Sequence, residues 1–212
     1  MTSPIRGLYA ITDPQWLPGT RLPDGVRAAL DGGARIVQYR NKAADAATRL
    51  REATQLATLC RDRGALFLAN DDIELALACN AHGVHLGQQD GAVAAARARL
   101  GDGAIVGQTC HSSLELALAA EQAGASYVAF GRFFPSHTKP LAPPAPLALL
   151  PEARQRLRIP IVAIGGVTVD NAPSLIAAGA DAVAVIHDLF SVHDIAGRAQ
   201  RFAALFAPRP QS

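Results

Sequence analysis

The fold of this chain is decided by residues 66–90, which read LFLANDDIELALACNAHGVHLGQQD. The segment opens with an apolar run typical of a buried strand, and this run stops abruptly before Asp71. A stretch rich in Ala and Leu follows at 73–79 and indicates a helix. A second short strand, 83–86, again leads into polar residues, which end at Asp90. The segment therefore has the order strand, helix, strand, with a carboxylate after each strand.

The same alternation recurs along the whole chain at a period of roughly 25 residues. Eight such units predict an α/β fold, a single-domain (β/α)₈ TIM barrel over 1–206, with 207–212 as a flexible C-terminal tail. An open doubly wound sheet is the competing architecture, and it would carry a glycine-rich turn after its first strand. The first strand here is followed by Thr12-Asp13-Pro14, so the barrel is favoured.

Composition narrows the class of protein. Half of the 212 residues are hydrophobic and the net charge is +2, which indicates one substantial core and no nucleic-acid footprint. No apolar stretch approaches the length needed to span a membrane, and the first residues lack a signal-peptide pattern. The three cysteines have no metal-ligand spacing. We therefore expect a cytoplasmic protein that binds neither nucleic acid nor membrane, in an oligomeric state that the sequence leaves open.

Two carboxylates end consecutive strands. Because the ends of parallel strands lie on one face of a barrel, Asp71 and Asp90 are expected to meet across adjacent loops and hold a hard cation. Magnesium suits this arrangement best, since it is commonly held by one or two carboxylates together with substrate phosphate oxygens. The alternative is that Asp71 and Asp72 cap the following helix and Asp90 is an ordinary loop residue.

Cations accompany these carboxylates. Gln38, Arg40 and Lys42 alternate out of the second strand, which places all three on one side if the extended conformation persists. An amide, a guanidinium and an ammonium together suit a diphosphate. The alternative, a solvated strand end with two surface cations, explains less of the pattern, because a metal diphosphate needs both signs of charge nearby.

The last three strands suggest a second anion site. The loop after the sixth strand carries Lys139 with hydroxyl donors, and its prolines over 134–146 predict a stiffened active-site lid. Gly165-Gly166 ends the seventh strand and Ile186-His187 the eighth, a corner where barrels recurrently bind phosphate. We therefore expect a metal-bound diphosphate near strands two to four and a monophosphate near strands six to eight.

Other polar residues near strand ends have less specific signals. Thr109 and His111 end the fifth strand, and His111 is as well explained by a structural role as by a functional one. His85 lies within the fourth strand and is expected in the barrel core. The histidines and aspartates after the eighth strand lack a recognised metal spacing, so a solvated loop is expected there: His187, Asp188, His193 and Asp194.

Six short motifs occur in order along the chain: QYRNK at 38–42, ND at 70–71, GVHLGQQD at 83–90, GQTCH at 107–111, GRFFPSHTK at 131–139 and IGG at 164–166. With these motifs the chain resembles the thiamine phosphate synthase family over nearly its whole length. The resemblance implies a (β/α)₈ barrel and a magnesium-dependent transferase that joins hydroxymethylpyrimidine diphosphate to thiazole phosphate, forming thiamine phosphate and releasing diphosphate.

The resemblance also implies roles for particular residues. Asp71 and Asp90 correspond to the magnesium ligands, and the catalytic cations are expected to be Arg40, Lys42 and Lys139. Substrate contacts are expected from Gln38, Tyr39, Arg40, Asn41, Lys42, Asn70, Thr109, Ser136, His137, Thr138, Lys139, Gly166, Ile186 and His187. The chain departs from the family pattern at three positions, where it has Asn41 for a common acidic residue, Arg132 for a frequent Pro and His187 for a common Ser.

Other functions on this fold stay open at this point. A related thiazole tautomerase shares the barrel, and its active-site histidine would fall at about Arg132. A non-catalytic binder of thiazole or thiamine phosphate would need no intact metal set. An unrelated phosphosugar isomerase is excluded only by the motif series, because a fold alone does not define a function.

Overall fold

Eight parallel strands close into a barrel in chain order in the computed structural model, which describes residues 4–136 and 143–207. The last strand pairs with the first, with Tyr9 opposite Ala184, and this pairing completes the ring. The predicted single-domain (β/α)₈ barrel is therefore confirmed. The strands are β1 Gly7–Ile11, β2 Ile36–Tyr39, β3 Leu66–Asn70, β4 Gly83–Leu86, β5 Ile105–His111, β6 Tyr127–Phe130, β7 Ile161–Ile164 and β8 Ala182–Val185.

Helices alternate with these strands and cover the barrel. They are α1 Arg21–Asp31, α2 Ala46–Asp62, α3 Ile73–Ala78, α4 Val93–Leu100, α5 Leu114–Gln122, α6 Leu149–Arg156, α7 Ala172–Ala177, α8 His187–Phe190 and α9 Ile195–Ala204. Several begin at a residue whose side chain accepts a hydrogen bond from a backbone N–H of the first turn, a common way to satisfy the free donors of a helix start. These residues are Asp45, Asp72, Ser113 and Asp194.

The short helix α8 corrects one expectation. A solvated loop was expected after β8, yet residues His187–Phe190 form a turn of helix. The carboxylate of Asp188 is bound by both Arg198 on α9, at 2.8 Å, and the backbone N–H of Val169, at 3.3 Å. Asp188 is therefore engaged in holding α8 against its neighbours, and Asp194 caps α9.

The core has two layers because successive residues of each strand face opposite sides. One set faces the helices and forms the large outer core, for example Val37 and Phe67. The other set fills the barrel interior, where Ile36 and Leu68 pack with two tyrosines, Tyr9 and Tyr127. The interior is thus a packed core below the carboxyl ends of the strands.

Strand β5 ends with the residues expected at its end, Thr109 and His111. It reaches His111 through an irregularity in its pairing with β6 between Thr109 and His111. His111 itself has a left-handed backbone, with φ 50°. This end of β5 carries Thr109 and His111 to the mouth of the barrel.

Two expectations concern segments outside this description. The predicted tail, 207–212, falls outside the described residues apart from Ala207, and the predicted lid over 134–146 is described only at 134–136 and 143–146. Within the described parts of the chain, no helix combines the length and apolar character required to cross a membrane.

Candidate active site

A cavity of about 410 Å³ opens at the carboxyl ends of the strands. This is the face on which (β/α)₈ barrels place their chemistry, since the βα loops surround it. Most of the residues predicted to form the site line this one cavity: Gln38, Arg40, Lys42, Asn70, Asp71, Asp90, Thr109, Ser136, Gly166, Ile186 and His187. His111 and Arg132 line it as well.

The two cations that follow β2 pair with carboxylates that follow the neighbouring strands β1 and β3. Nη1 of Arg40 lies 3.5 Å from Oδ2 of Asp13, which follows β1, and the backbone N–H of Arg40 donates to Oγ1 of Thr12 at 2.9 Å. Nζ of Lys42 lies 2.8 Å from Oδ2 of Asp71. The predicted alternation is therefore supported, because the side chains of Arg40 and Lys42 both reach the cavity.

Asp71 and Asp90 converge on one backbone N–H. The N–H of Gly87 lies 3.3 Å from Oδ1 of Asp71 and 3.1 Å from Oδ2 of Asp90, so the two carboxylates share a donor. Nδ2 of Asn70 also donates to Asp71, at 2.6 Å. Asp71 has a left-handed backbone, with φ 64°. Such strain in a non-glycine residue is concentrated at functional sites.

The electrostatics of this pair favour a cation between them. Partial burial and then the neighbouring Asp71 raise the pKa of Asp90 above its usual value. Burial raises the pKa of Asp71, but hydrogen bonds from its neighbours lower it by more, so the pKa is below its usual value. Lys42 makes the largest of these lowering contributions. Two carboxylates facing each other repel when both are ionised, and a divalent cation relieves that repulsion.

The donor set fits magnesium. Among residues 4–136 and 143–207 no group of three or more His, Cys, Asp or Glu side chains is arranged to hold a metal ion. Magnesium differs from zinc in needing no such cage, since one or two carboxylates with substrate phosphate oxygens and waters suffice. Asp71 and Asp90, with a cavity beside them, meet that requirement.

The neighbouring Asp72 has the role that was considered as an alternative for this acidic pair. Its carboxylate caps α3 by accepting from the N–H of Leu75 at 2.9 Å and pairs with Arg49 at 3.2 Å. Asp72 therefore points toward the helices, while Asp71 points into the cavity. Two adjacent aspartates thus have separate structural and site roles.

A chain of hydrogen-bonded side chains crosses the floor of the cavity. Nε2 of Gln38 lies 2.6 Å from Oη of Tyr9, which is 2.8 Å from Oη of Tyr127. That hydroxyl is 2.8 Å from Nδ1 of His85, whose Nε2 lies 2.9 Å from Oγ1 of Thr109. We refer to these five side chains as the polar chain.

The polar chain contains residues that the sequence reading missed or misplaced. His85 was expected in the core, but it is only half-buried and lines the cavity. Tyr9 and Tyr127 are fully buried inside the barrel and read only as strand residues in the sequence. The sequence signal that could have indicated Tyr127 is Gly107, a glycine within a strand, which often marks the close approach of another group. In the structure, a Cβ on Gly107 would lie 2.1 Å from Cζ of Tyr127.

The opposite corner of the cavity is built on two glycines. Gly165 and Gly166 both have left-handed backbones, with φ 99° and 64°. A Cβ on Gly166 would lie 2.2 Å from the carbonyl oxygen of Pro135, so glycine lets the loop after β6 approach β7 closely. The ring of His187 packs edge-on against Trp16, with centroids 4.8 Å apart. This contact holds the imidazole at the cavity wall.

Comparison with known proteins agrees with this geometry. Residues 8–189 match the model of the TMP-TENI family, described as thiamine monophosphate synthase. The chain belongs to this family. It is 54% identical over 205 residues to a thiamine-phosphate synthase of Alcanivorax borkumensis, covering 95% of this chain and 94% of the relative. It is 54% identical over 202 residues to one of Thioalkalivibrio sulfidiphilus, covering 95% and 96%.

Among solved structures, thiamine phosphate pyrophosphorylase from Pyrococcus furiosus superimposes with a TM-score of 0.86 at 34% identity, covering 94% of this chain and 95% of that one. Membership of the thiamine monophosphate synthase family thus rests on sequence and on fold together. The resemblance noted from the motifs is confirmed.

Not every residue predicted for this family member reaches the cavity. Oη of Tyr39 donates to Oε2 of Glu52 at 2.7 Å, and Nδ2 of Asn41 lies 3.2 Å from the same oxygen. Both side chains lie toward α2, in a groove beside the cavity, so the structure does not place them among its lining groups. Three predicted contacts lie outside the described residues: His137, Thr138 and Lys139.

Proposed function

We infer that this protein is a thiamine phosphate synthase, a transferase that joins hydroxymethylpyrimidine diphosphate to thiazole phosphate and releases diphosphate. One observation carries the inference beyond family membership. The cations Arg40 and Lys42 and the carboxylates Asp71 and Asp90 line the same cavity. A site for a metal-bound diphosphate needs both signs of charge, and relatives at 54% identity are named for this synthesis.

The reaction requires the site to stabilise a leaving group and align two rings. The C–O bond to diphosphate breaks, and the electron-rich aminopyrimidine stabilises the carbocation left on its methylene carbon. The thiazole nitrogen then attacks that carbon and forms the C–N bond. Neither step calls for a nucleophilic side chain, and holding the two substrates together supplies much of the rate enhancement.

Among the described side chains, Arg40 is the best placed to neutralise charge on the departing diphosphate. Its backbone is fixed by Thr12 and its guanidinium by Asp13, so its orientation is set before the substrate arrives. Preorganised donors of this kind contribute strongly to transition-state stabilisation. Lys42 is 60% exposed and can move from Asp71 to a phosphate oxygen.

We propose Mg²⁺ as the cofactor, held by Asp71 and Asp90. When bound there, it would supply positive charge to the diphosphate as that group leaves. The support is the convergence of the two carboxylates on the N–H of Gly87 and the raised pKa of Asp90, which burial and the neighbouring carboxylate cause.

The thiazole phosphate is assigned to the corner formed by Ser136, Gly166 and His187. These residues line the side of the cavity built from β6, β7 and β8, across the barrel from the carboxylates of β3 and β4. The hydroxyl of Ser136 and the backbone N–H of Gly166 suit a monophosphate that undergoes no chemistry. Thiazole phosphate would then enter with its ring toward the pyrimidine.

Incubating the purified protein with both substrates and Mg²⁺ tests the proposal, with thiamine phosphate detected by mass. The proposal expects product only when both substrates and the metal are present. A thiazole tautomerase would isomerise the thiazole phosphate without joining it to the pyrimidine, and a non-catalytic binder would return both substrates unchanged. Either result would reject the synthase assignment.

A further inference from the structure

The donor at one end of the polar chain is Gln38. The Nε2 atom of a glutamine amide can only donate hydrogen bonds, so Oη of Tyr9 accepts a hydrogen bond from Gln38 at 2.6 Å. The two phenol oxygens lie 2.8 Å apart, and either hydroxyl can donate across that contact. If Tyr9 donates to Tyr127, and Tyr127 donates to Nδ1 of His85 at 2.8 Å, each phenol hydrogen has an acceptor within the polar chain.

Burial keeps both phenols protonated. Tyr9 and Tyr127 are fully enclosed by the barrel interior, and desolvation raises the pKa of each above its usual value. Each therefore remains a neutral hydroxyl that accepts one hydrogen bond and donates another.

The orientation of Tyr127 is fixed from two sides. Gly107 leaves the space that its ring occupies, because a Cβ there would lie 2.1 Å from Cζ. The ring of His85 stacks against that of Tyr127, with centroids 5.6 Å apart and an interplanar angle of 21°. The Tyr127 hydroxyl is thus held against Nδ1 of His85 by packing as well as by its hydrogen bond.

The order of donors continues through His85 to the cavity. When Nδ1 accepts, the neutral imidazole carries its hydrogen on Nε2, and this hydrogen is donated to Oγ1 of Thr109 at 2.9 Å. The hydroxyl hydrogen of Thr109 then cannot point at His85. It is left to point toward the cavity that Thr109 lines.

We propose that His85 and Tyr127 are positioning residues, which hold His85 as the Nε2–H tautomer and so make Thr109 a hydrogen-bond donor to a ring nitrogen of the pyrimidine substrate. The substrate named here rests on the proposed function. The tautomer does not, because it follows from the hydrogen bonds of the protein alone.

Nitrogen NMR of the full-length protein with ¹⁵N-labelled histidine tests the tautomer without any substrate, the His85 signals being assigned from a His85→Gln variant. The Nε2–H tautomer is expected in the wild type and in Tyr9→Phe, since Tyr127 can still donate to His85. In Tyr127→Phe the Nδ1–H form should gain population. An Nδ1–H tautomer in the wild type, or no change in Tyr127→Phe, would overturn the proposal.

Kinetics test the consequence for substrate binding. Tyr127→Phe should raise KM for hydroxymethylpyrimidine diphosphate roughly two- to tenfold, the range for one neutral hydrogen bond, with KM for thiazole phosphate unchanged. Thr109→Val should raise the same KM because it removes the hydroxyl, and Thr109→Ser, which restores the hydroxyl, should have a lower KM than Thr109→Val. In a Thr109→Val background, Tyr127→Phe should have almost no further effect on KM, since both changes remove the same interaction.

Cys110→Ala is the matched control for packing. Cys110 follows Thr109 on β5 but belongs to the outer core, so this change disturbs the same strand from its other face. If it reproduces the KM effect of Tyr127→Phe, or if the effects of Tyr127→Phe and Thr109→Val are additive, the positioning role is rejected. A wild-type protein that makes no thiamine phosphate overturns the proposed function and the substrate named here, whereas a wrong tautomer overturns this proposal alone.

Discussion

Nζ of Lys42 lies 2.8 Å from Oδ2 of Asp71, so a cation from the end of β2 meets a carboxylate from the end of β3 inside the candidate active site. The Lys42 side chain is 60% exposed, and exposed ion pairs contribute little to stability. Lys42 can therefore exchange Asp71 for a phosphate oxygen at low cost. That exchange would leave an Asp71 oxygen available for a metal ion.

The first prediction concerns the metal. Asp71→Asn and Asp90→Asn should each lower kcat by at least about a hundredfold, as does the loss of a group that stabilises developing charge. Steady-state rates across a magnesium titration would measure the effect. Asp72→Asn is the control, because it retains a good helix cap and faces away from the cavity. If Asp72→Asn is as damaging as the other two, the loss comes from local structure and the ligand assignment is wrong.

The second prediction distinguishes the two anion sites by removing a cation from the diphosphate site. Arg40→Ala should weaken binding of the pyrimidine diphosphate by about tenfold to a hundredfold, the range for a hydrogen bond to a charged group, and should also slow turnover. Arg63→Ala removes a cation paired with Asp31 on the outside of the barrel and should leave both parameters unchanged. Varying each substrate in turn gives the measurement. Damage confined to thiazole phosphate would reverse the assignment of the sites.

The third prediction concerns the monophosphate side. Ser136→Ala should raise KM for thiazole phosphate roughly two- to tenfold, because it removes one hydrogen-bond donor. Affinity for the pyrimidine diphosphate should stay within error of the wild type, since Ser136 follows β6 and the carboxylates follow β3 and β4. A change in pyrimidine affinity alone would show that Ser136 does not belong to the thiazole corner.

The fourth prediction tests the close contact between Gly166 and the carbonyl oxygen of Pro135. Gly166→Ala should lower the free energy of unfolding and raise KM for thiazole phosphate, because a Cβ would meet the carbonyl oxygen of Pro135 at 2.2 Å. Gly64→Ala is a matched control: its φ is 62° against 64° for Gly166, and nothing lies within 4 Å of its Cβ. The left-handed backbone alone costs about 1–2 kcal/mol in either variant. Equal losses in thermal unfolding would mean that the contact with Pro135 contributes nothing.

Periodicity was sufficient to predict the barrel, because eight apolar strands at regular spacing must each find two neighbours and cover one face with a helix. It could not predict α8. Residues His187–Phe190 form a single helical turn, too short for a helical pattern, and Asp188 within it accepts a hydrogen bond from Arg198 on α9. That contact joins elements whose spacing is set by the whole barrel.

The site was predicted where a single strand end determines the direction of a side chain, as for Arg40 and Asp71. It was not predicted where partners lie across the barrel. Tyr39 is adjacent to Gln38 in sequence, but alternation turns it outward to Glu52. Tyr127 contacts His85 only because β4 and β6 face one interior, a relationship that no local pattern contains.

The most direct test of the account is the stoichiometry of products with both substrates present. Thiamine phosphate and diphosphate should appear in equal amounts, only with Mg²⁺, and neither should form in the Asp71→Asn, Asp90→Asn double variant. Diphosphate release without thiamine phosphate, or equal synthesis by the double variant, would contradict a synthase in which these two carboxylates hold the metal.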